Sequence, residues 1–227
     1  MKGKIKDEQS LLKIFFDPYQ GREKIEKPFL SDGYVCATET HNMILINPDI
    51  LENQYEDNGM HATKAIKPDN VKITIPISRI EQAISECPKE IEYCTVIPEE
   101  PCSECNEEGS VLWEYTDSHH HTHREMYECP ICNGSGVESP AVRRPTGREV
   151  PSWDSNISIR GLIFRAIYIK NLLDAARHIG VDHILYTSSH RNAGNVFRIS
   201  PDVMVIIMPI ENVEAHATIK GLKNAKD

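Results

Sequence analysis

The sequence lacks an apolar run long enough to cross a membrane. Its longest such run, VMVIIMPI near the C-terminus, has the length of a strand, whereas a membrane-spanning helix needs about 20 apolar residues. The N-terminal stretch MKGKIKDEQS has lysines but no apolar segment behind them, so we expect no secretory signal. These absences predict a cytoplasmic protein, in a reducing compartment and without membrane partners.

Positive charge is also scarce. The chain of 227 residues has 25 Lys and Arg against 34 Asp and Glu, which gives a formal net charge of −9. Nonspecific binding to nucleic acid depends on clustered Lys and Arg, so this composition disfavours a protein that coats nucleic acid. It leaves open a ring or clamp with an acidic outside and a basic inner face, because net charge does not describe distribution.

The motifs of common enzyme classes are missing. The sequence has no glycine-rich phosphate loop, no G-x-S-x-G elbow and no H-E-x-x-H pair. His178, His183 and His190 fall on a predicted helix end, a strand and a loop, with no visible shared site. We therefore predict that the protein is not an enzyme.

The cysteines, by contrast, occur in a recognisable pattern. Four of the seven cysteines form two C-x-x-C pairs, in CSECNEEG at 102–109 and CPICNGSG at 129–136. In a reducing compartment such pairs favour a metal site over a disulfide framework. Cys36, Cys87 and Cys94 lie in apolar contexts, and we predict that they are buried packing residues.

The two pairs have the spacing of a zinc ribbon. Zinc prefers four ligands in a tetrahedron, and each C-x-x-C turn directs two sulfurs to one side. Between the pairs, SVLWEYTD and REMYEC are strand-like runs around a polar tip, which predicts a hairpin. A site closed by four cysteines is structural, since catalytic zinc keeps an open position. A redox dithiol is the less favoured alternative. The predicted zinc ligands are Cys102, Cys105, Cys129 and Cys132.

The second pair, in its CxxCxGxG form, resembles the cysteine-rich zinc domain of DnaJ-type co-chaperones. The first pair departs from that pattern in CNEEG. The chain has only two C-x-x-C pairs where that domain has four, and it lacks the HPD tripeptide of a J-domain. The resemblance implies a zinc ribbon without implying chaperone activity. HHHTH at 119–123 falls at the predicted hairpin tip, where it is either a second metal site or a solvated turn.

The remaining segments predict an α+β fold. ITIPISRIEQAISECPKEIEYCTVI and ISIRGLIFRAIYIKNLLDAARHIGVDHILYTSS both have the pattern strand, helix, strand, and such repeats place their helices on one face of an antiparallel sheet. We expect a body at 1–98 and 152–227 and an inserted zinc ribbon at 99–137. Prolines and a glycine predict a connecting loop at 138–151.

Three segments of this body resemble bacterial DNA sliding clamps, the beta subunit of polymerase III. They are GYVCATETHNMILI, VKITIPISRIEQAIS and IYIKNLLDAARHIGVDHILYTSS with the strands that follow it. The resemblance implies a clamp-like fold, helices that face the backbone of double-stranded DNA, replication proteins as partners and a homo-oligomeric ring. Because the chain is shorter than the three-domain subunit of that family, a ring would need several copies.

Two groups of basic residues are candidates for phosphate contacts. One lies on or just before the predicted helix 168–179, where the alternative is a solvated helix edge, and the other is RRPTGR beside the ribbon, which solubility alone could explain. The candidates are Arg165, Lys170 and Arg177 in the first group and Arg143, Arg144 and Arg148 in the second.

Two hypotheses of different classes result. In the first, the protein is a DNA-associated, clamp-like accessory protein of replication with a structural zinc ribbon. In the second, it is a protein-interaction or regulatory module in which the ribbon makes the contacts and the α+β body is a scaffold. A third, an enzyme that uses the histidine cluster, would require a second metal ion per chain.

Overall fold

The computed structural model describes residues 4–16, 22–66, 72–187 and 191–224. These residues are mostly β-sheet with few helices, namely α1 (Glu8–Lys13), α2 (Ile77–Ser85) and α3 (Ala166–Ile179). The strands are β1 (Phe29–Ser31), β2 (Tyr34–Thr38), β3 (Asn42–Ile46), β4 (Ile73–Pro76), β5 (Lys89–Ile97), β6 (Glu100–Pro101), β7 (Ser110–Thr116), β8 (Thr122–Glu128), β9 (Val137–Ser139), β10 (Val142–Pro151), β11 (Asn156–Ile159), β12 (Leu162–Arg165), β13 (His183–Tyr186), β14 (Asn195–Ser200), β15 (Val203–Ile207), β16 (Ala217–Ile219) and β17 (Lys223–Asn224).

The chain divides into two compact units. The body comprises Met1–Lys89 and Pro151–Asp227, and the inserted unit comprises Glu90–Val150. Among the described residues, no helix is long and apolar enough to span a membrane.

The body is built on an eight-stranded antiparallel sheet. Its strand order is β1-β2-β3-β15-β14-β13-β4-β17, and a second sheet has the order β12-β11-β16 with β16 parallel to β11. Because side chains alternate along a strand, Ile44 and Ile46 of β3 join the core that holds the helices, whereas Leu45 joins a second cluster with Phe29. Both faces are therefore covered, which explains why MILI and VMVII are continuous apolar runs.

Local signals fix the helix ends. The side chain of Asp7, directly before α1, accepts a hydrogen bond from the N–H of Ser10 at 3.3 Å. Gly180, at φ 81°, ends α3, and its N–H donates to the carbonyls of Ala176 and Arg177. Helix α2 begins at Ile77, directly after the proline that ends β4, and has no side-chain cap.

The predicted repeat holds in its strand–helix part. β4 leads directly into α2, β12 leads directly into α3, and the two helices pack against each other. After the helices the copies differ. β13 follows α3 and pairs with β4 in the eight-stranded sheet, whereas β5 follows α2 and pairs with β10 instead.

The interpretation of 138–151 as a connecting loop is wrong at the level of secondary structure. This segment contains the end of β9 and all of β10. β10 includes Pro145 and Gly147, which are rare in central strands. The β5–β10 sheet has only two strands, so each strand has a free edge where the missing N–H of a proline breaks no hydrogen bond. Gly147 adopts a φ of 80°, a conformation that suits glycine.

The two-stranded β5–β10 sheet also explains why one prediction of a buried cysteine is wrong. Cys36 and Cys87 are buried as predicted, but Cys94 on β5 is exposed. A two-stranded sheet with both faces open offers no interior for this side chain. The apolar, alternating context of Cys94 therefore indicated a strand without indicating burial.

Candidate metal centre

The inserted unit brings the four predicted ligand cysteines together. Their ligand atoms all lie within 4.8 Å of one another. Cys102 and Cys129 are fully buried, and Cys105 and Cys132 are 5% and 7% exposed. The Sγ–Sγ distance is 3.7 Å both for Cys102–Cys129 and for Cys105–Cys132.

These distances fit a tetrahedral metal site. A disulfide requires an S–S distance of about 2.05 Å, so the pairs at 3.7 Å are free thiols. A regular tetrahedron with Zn–S bonds of about 2.3 Å has S–S edges of about 3.8 Å. The four sulfurs could therefore hold one metal ion, and a set of four soft thiolates suits zinc.

The two C-x-x-C turns hold each other reciprocally. The N–H of Gly109 donates to Sγ of Cys105 at 3.3 Å, and its carbonyl accepts from the N–H of Cys129 at 2.8 Å. The N–H of Gly136 donates to Sγ of Cys132 at 3.2 Å, and its carbonyl accepts from the N–H of Cys102 at 2.9 Å. Each glycine thus stabilises a sulfur of its own turn and positions the first cysteine of the other turn.

The two turns approach so closely that glycine is required at both positions. A Cβ on Gly109 would lie 2.4 Å from the carbonyl oxygen of Gly134, and one on Gly136 would lie 2.3 Å from that of Glu107. The first turn differs from CxxCxGxG at Glu107, yet its backbone is the same. Asn106 and Glu107 have φ of 48° and 71°, close to the 51° and 80° of Asn133 and Gly134.

Cys105 and Cys132 share their protons as one hydrogen-bonded pair, so the pair holds one proton tightly and releases the other more easily. Burial raises the pKa of Cys105 to about 12, helped by hydrogen bonds to the neighbouring thiols. Burial also acts to raise the pKa of Cys132, but the N–H of Gly136 and the other thiols outweigh it and lower that pKa to about 7. Since a metal binds thiolates, protons compete with it, and the affinity of the site for metal falls as the pH falls.

The histidine tip is not assembled into a second metal site. In the part of the chain that the structure describes, the four cysteines are the one group of three or more His, Cys, Asp or Glu placed to hold an ion. The tip instead turns around Asp117, whose carboxylate contacts His123 Nε2 at 3.0 Å and His121 Nδ1 at 3.6 Å. In this arrangement the cluster is a solvent-exposed turn hydrogen-bonded to Asp117.

The six candidate DNA contacts fall into two groups. Arg165, Lys170 and Arg177 lie in the body, at the start of α3 or on it. Each is in an ion pair, with Asp154 at 3.3 Å, Asp174 at 2.6 Å and Glu81 at 2.8 Å respectively.

The other group, Arg143, Arg144 and Arg148, lies on β10 of the inserted unit. All three are exposed, and Arg148 pairs with Glu92 at 3.4 Å. The fold thus does not bring the two groups into one compact unit.

Charge is divided unequally between the two units, a feature that the whole-chain total hid. The inserted unit has thirteen acidic and four basic side chains, a net charge of −9, and the body has twenty-one of each. A zinc ion bound by four thiolates would add a further −2. The entire excess of negative charge therefore belongs to the inserted unit, and a count by segment would have shown it.

Comparison with known proteins finds similar structures but no similar sequence family. No protein-family model matches the chain, and no curated protein matches it. The structure is similar to the DNA polymerase sliding clamp from Bacillus subtilis, with 11% identity, a TM-score of 0.42 and coverage of 91% of this chain and 63% of that one. It is also similar to the Helicobacter pylori beta clamp bound to a DNA ligase peptide, with 12% identity, a TM-score of 0.45 and coverage of 90% and 62%.

A third similar structure is the sliding clamp from Caulobacter crescentus, with 10% identity, a TM-score of 0.42 and coverage of 90% of this chain and 64% of that one. The chain therefore spans less than two thirds of the length of these clamp subunits.

Proposed function

We propose that the protein is a non-enzymatic, DNA-associated accessory protein of replication, with a clamp-like body and an inserted unit folded around one zinc ion. The observation that carries the zinc assignment is the set of four buried cysteine sulfurs at tetrahedral spacing. The DNA association is supported by the three body segments that resemble sliding clamps.

The zinc ion would be the core of the inserted unit. Among the described residues of this unit, the one hydrophobic cluster consists of the four cysteines, with Val111 packed against it. A unit of this size without an apolar core needs another source of stability, and structural zinc supplies about 10–16 kcal/mol in small peptides. All four positions would be filled by sulfur, so this zinc would have no open position for catalysis.

The body supplies the proposed DNA contacts at α3. The Lys170–Asp174 pair is partly buried, whereas the pairs of Arg165 and Arg177 are exposed, and exposed pairs contribute only about 0–1 kcal/mol each. DNA phosphates can therefore replace the carboxylates of the exposed pairs at little cost. Arg143, Arg144 and Arg148 are the second set of proposed contacts, tested separately because they belong to the acidic unit.

One observation favours the alternative function for the inserted unit. A net charge of −9 over about sixty residues opposes approach to phosphates and favours a basic partner. In this alternative the inserted unit is a protein-interaction or regulatory module and the α+β body is its scaffold.

The deciding experiment is solution mass by light scattering, with and without DNA, combined with zinc analysis. A closed homo-oligomer with one zinc per chain that retains circular double-stranded DNA, and releases it when the DNA is cut, supports the clamp function. A zinc-bound monomer indifferent to DNA would overturn it and leave the interaction module.

Charge-reversal variants identify the surface that contacts DNA. Lys170→Glu with Arg177→Glu is compared with Arg143→Glu with Arg144→Glu, which changes the charge equally on the other unit. Loss of DNA retention in the first pair alone assigns the contact to α3. Loss of DNA retention in the second pair alone assigns the DNA contact to β10. Equal small losses in both pairs would indicate that neither surface is the specific DNA contact.

A further inference from the structure

The hairpin of β7 and β8 presents an aromatic face to solvent. In the register of this hairpin, Val111 is opposite Tyr127, Trp113 is opposite Glu125 and Tyr115 is opposite His123. Alternation along the strands places all six on one face. Trp113, Tyr115 and Tyr127 are 55%, 63% and 52% exposed, so they contribute little to any core.

Two of these rings and a carboxylate form a corner. Trp113 and Tyr127 meet edge to face, with ring centroids 6.0 Å apart and planes at 65°. The hydroxyl of Tyr127 donates a hydrogen bond to Oε2 of Glu125, and this hydrogen bond, together with the charge of Glu125, raises the pKa of Tyr127. The phenol therefore stays a donor, and it holds the carboxylate beside the Trp113 ring.

This corner is part of a concave site with aromatic and acidic walls. The cavity has a volume of about 580 Å³ and is half open to solvent at the hairpin surface. Its lining residues are Trp113, Tyr115, Tyr127, Glu114, Glu125 and Glu128. The register places the carboxylate of Glu125 on the aromatic face, whereas Glu114 and Glu128 alternate to the other face, where Glu114 pairs with Arg124 at 2.6 Å.

The chemistry of this lining selects a cation. The faces of aromatic rings attract ammonium and guanidinium groups, and carboxylates add direct ion pairing. Phosphate groups, which accompany the bases of single-stranded nucleic acid, would meet the carboxylate of Glu125 and a unit of net charge −9. That same net charge draws basic partners toward the site from a distance.

We propose that this aromatic–acidic pocket binds an arginine or lysine side chain from a basic segment of a partner protein. An arginine suits it well, because its planar guanidinium stacks on a ring while its edge donates to a carboxylate. The proposal requires the inserted unit to be folded but does not require the body to bind DNA.

The test is fluorescence anisotropy of a labelled octapeptide of alternating arginine and glycine, titrated with the zinc-loaded full chain. Trp113→Ala and Glu125→Gln are each expected to weaken binding by about 5- to 30-fold, as loss of a cation–π contact or a charged hydrogen bond implies. Increasing salt should weaken binding to the unaltered chain, and a peptide with citrulline in place of arginine should not bind.

Two matched controls lie on the same unit. Leu112→Ala removes a side chain that is 58% exposed on the opposite face of the hairpin, and Glu104→Gln removes one exposed carboxylate that does not line the pocket. Both are expected to keep affinity within about 2-fold, since neither touches the cation site. An unchanged zinc content in every variant shows that the unit remains folded.

Four outcomes would overturn the proposal. Equal binding by all variants would assign the attraction to overall charge, and equal binding of the citrulline peptide would show that the cation is not recognised. Absence of peptide binding at low salt would show that the pocket does not bind a basic segment. Binding of a short oligothymidylate that depends on Trp113 would identify the face as a platform for single-stranded nucleic acid.

Discussion

Glu107 is held in a backbone conformation that suits glycine. Its φ of 71° matches the 80° of Gly134 at the equivalent position of the second turn, and its carbonyl lies against Gly136. A residue with a Cβ pays about 1–2 kcal/mol for the left-handed conformation, partly offset by the greater chain entropy of glycine when unfolded. Packing of the two turns against each other holds Glu107 in this conformation despite its cost.

Replacing Glu107 with glycine is therefore expected to stabilise the inserted unit by about 1 kcal/mol. The measurement is competition for zinc with a chromophoric chelator, in which Glu107→Gly should retain zinc more tightly. Glu107→Gln separates the two causes, since it removes the charge and keeps the side chain. An equal gain in Glu107→Gln would show that charge near the sulfurs, not backbone conformation, is responsible.

Loss of one ligand should unfold one unit only. Cys129→Ser replaces a fully buried sulfur, and the cysteine cluster is separate from the clusters that form the core of the body. We expect the zinc content to fall and proteases to cut the inserted unit, whereas the sheet of the body should stay folded. Retained zinc with unchanged protection of the inserted unit would contradict this expectation, and Cys94→Ser, an exposed cysteine of the same unit, is the control.

At the scale of elements, a turn fastens a long loop to the main sheet. Asp32 lies between β1 and β2 with φ of 49°, and its carboxylate contacts Nδ1 of His61 at 2.9 Å and accepts from the N–H of Thr63 at 3.0 Å. The hydrogen bonds of His61 and Thr63 lower the pKa of Asp32 to about 2. The loop around residues 56–66 thus depends on an ionised Asp32.

This lowered pKa predicts a pH window for the loop. A carboxyl whose folded-state pKa is depressed stabilises the fold above its ordinary pKa and loses that contribution as pH falls through the depressed value. Protection of 56–66 from hydrogen exchange should therefore weaken between pH 4 and pH 2, starting from the ordinary pKa of 3.8 and ending near 2. Asp32→Asn should lack this protection at pH 7 and show no further change in that window. Unchanged protection in the variant would show that the loop is held by other contacts.

Two apolar segments of the sequence each form two strands rather than one. PFLSDGYVCATET forms two strands, β1 and β2, with a turn at Asp32–Gly33, and NISIRGLIF forms β11 and β12, with a turn at Arg160–Gly161. In each case both turn residues have positive φ, as a tight hairpin requires. The X-Gly pair carried that signal in the sequence, and the continuous apolar pattern around it concealed the turn.

At the scale of the whole molecule, the two units differ in what stabilises them and in what charge they carry. The apolar clusters of the body contain no residue of 90–150, and the inserted unit relies on its four cysteines. The body is electrically balanced, and the inserted unit carries −9. Each unit can therefore change without loss of the interior of the other.

Excision of residues 90–150, with a short glycine–serine linker in their place, tests this independence. The remaining body is expected to unfold cooperatively, bind no stoichiometric zinc and leave an anion-exchange column at lower salt than the full chain, because nine negative charges are gone. If α3 contacts DNA, the excised body should also bind DNA more tightly. A body that no longer folds would show that the inserted unit stabilises the fold.

The sequence alone predicts the four ligand cysteines, the helices α2 and α3 and the strand–helix repeat to which they belong. These features depend on spacing and periodicity over a few residues, because a C-x-x-C turn and an apolar helix stripe are local. The site could therefore be predicted residue by residue, together with the hairpin between its halves.

Only the tertiary structure decided the remaining features. β10 is a strand because β5 lies beside it, Cys94 is exposed because that ribbon has no third layer, and Gly109 and Gly136 are required because two distant turns touch. The aromatic–acidic pocket also depends on the register that places Glu125 opposite Trp113. Pairing between segments far apart in the chain decides the first three of these features, and the register of a local hairpin decides the fourth. Local periodicity does not encode which partner a strand or turn will meet.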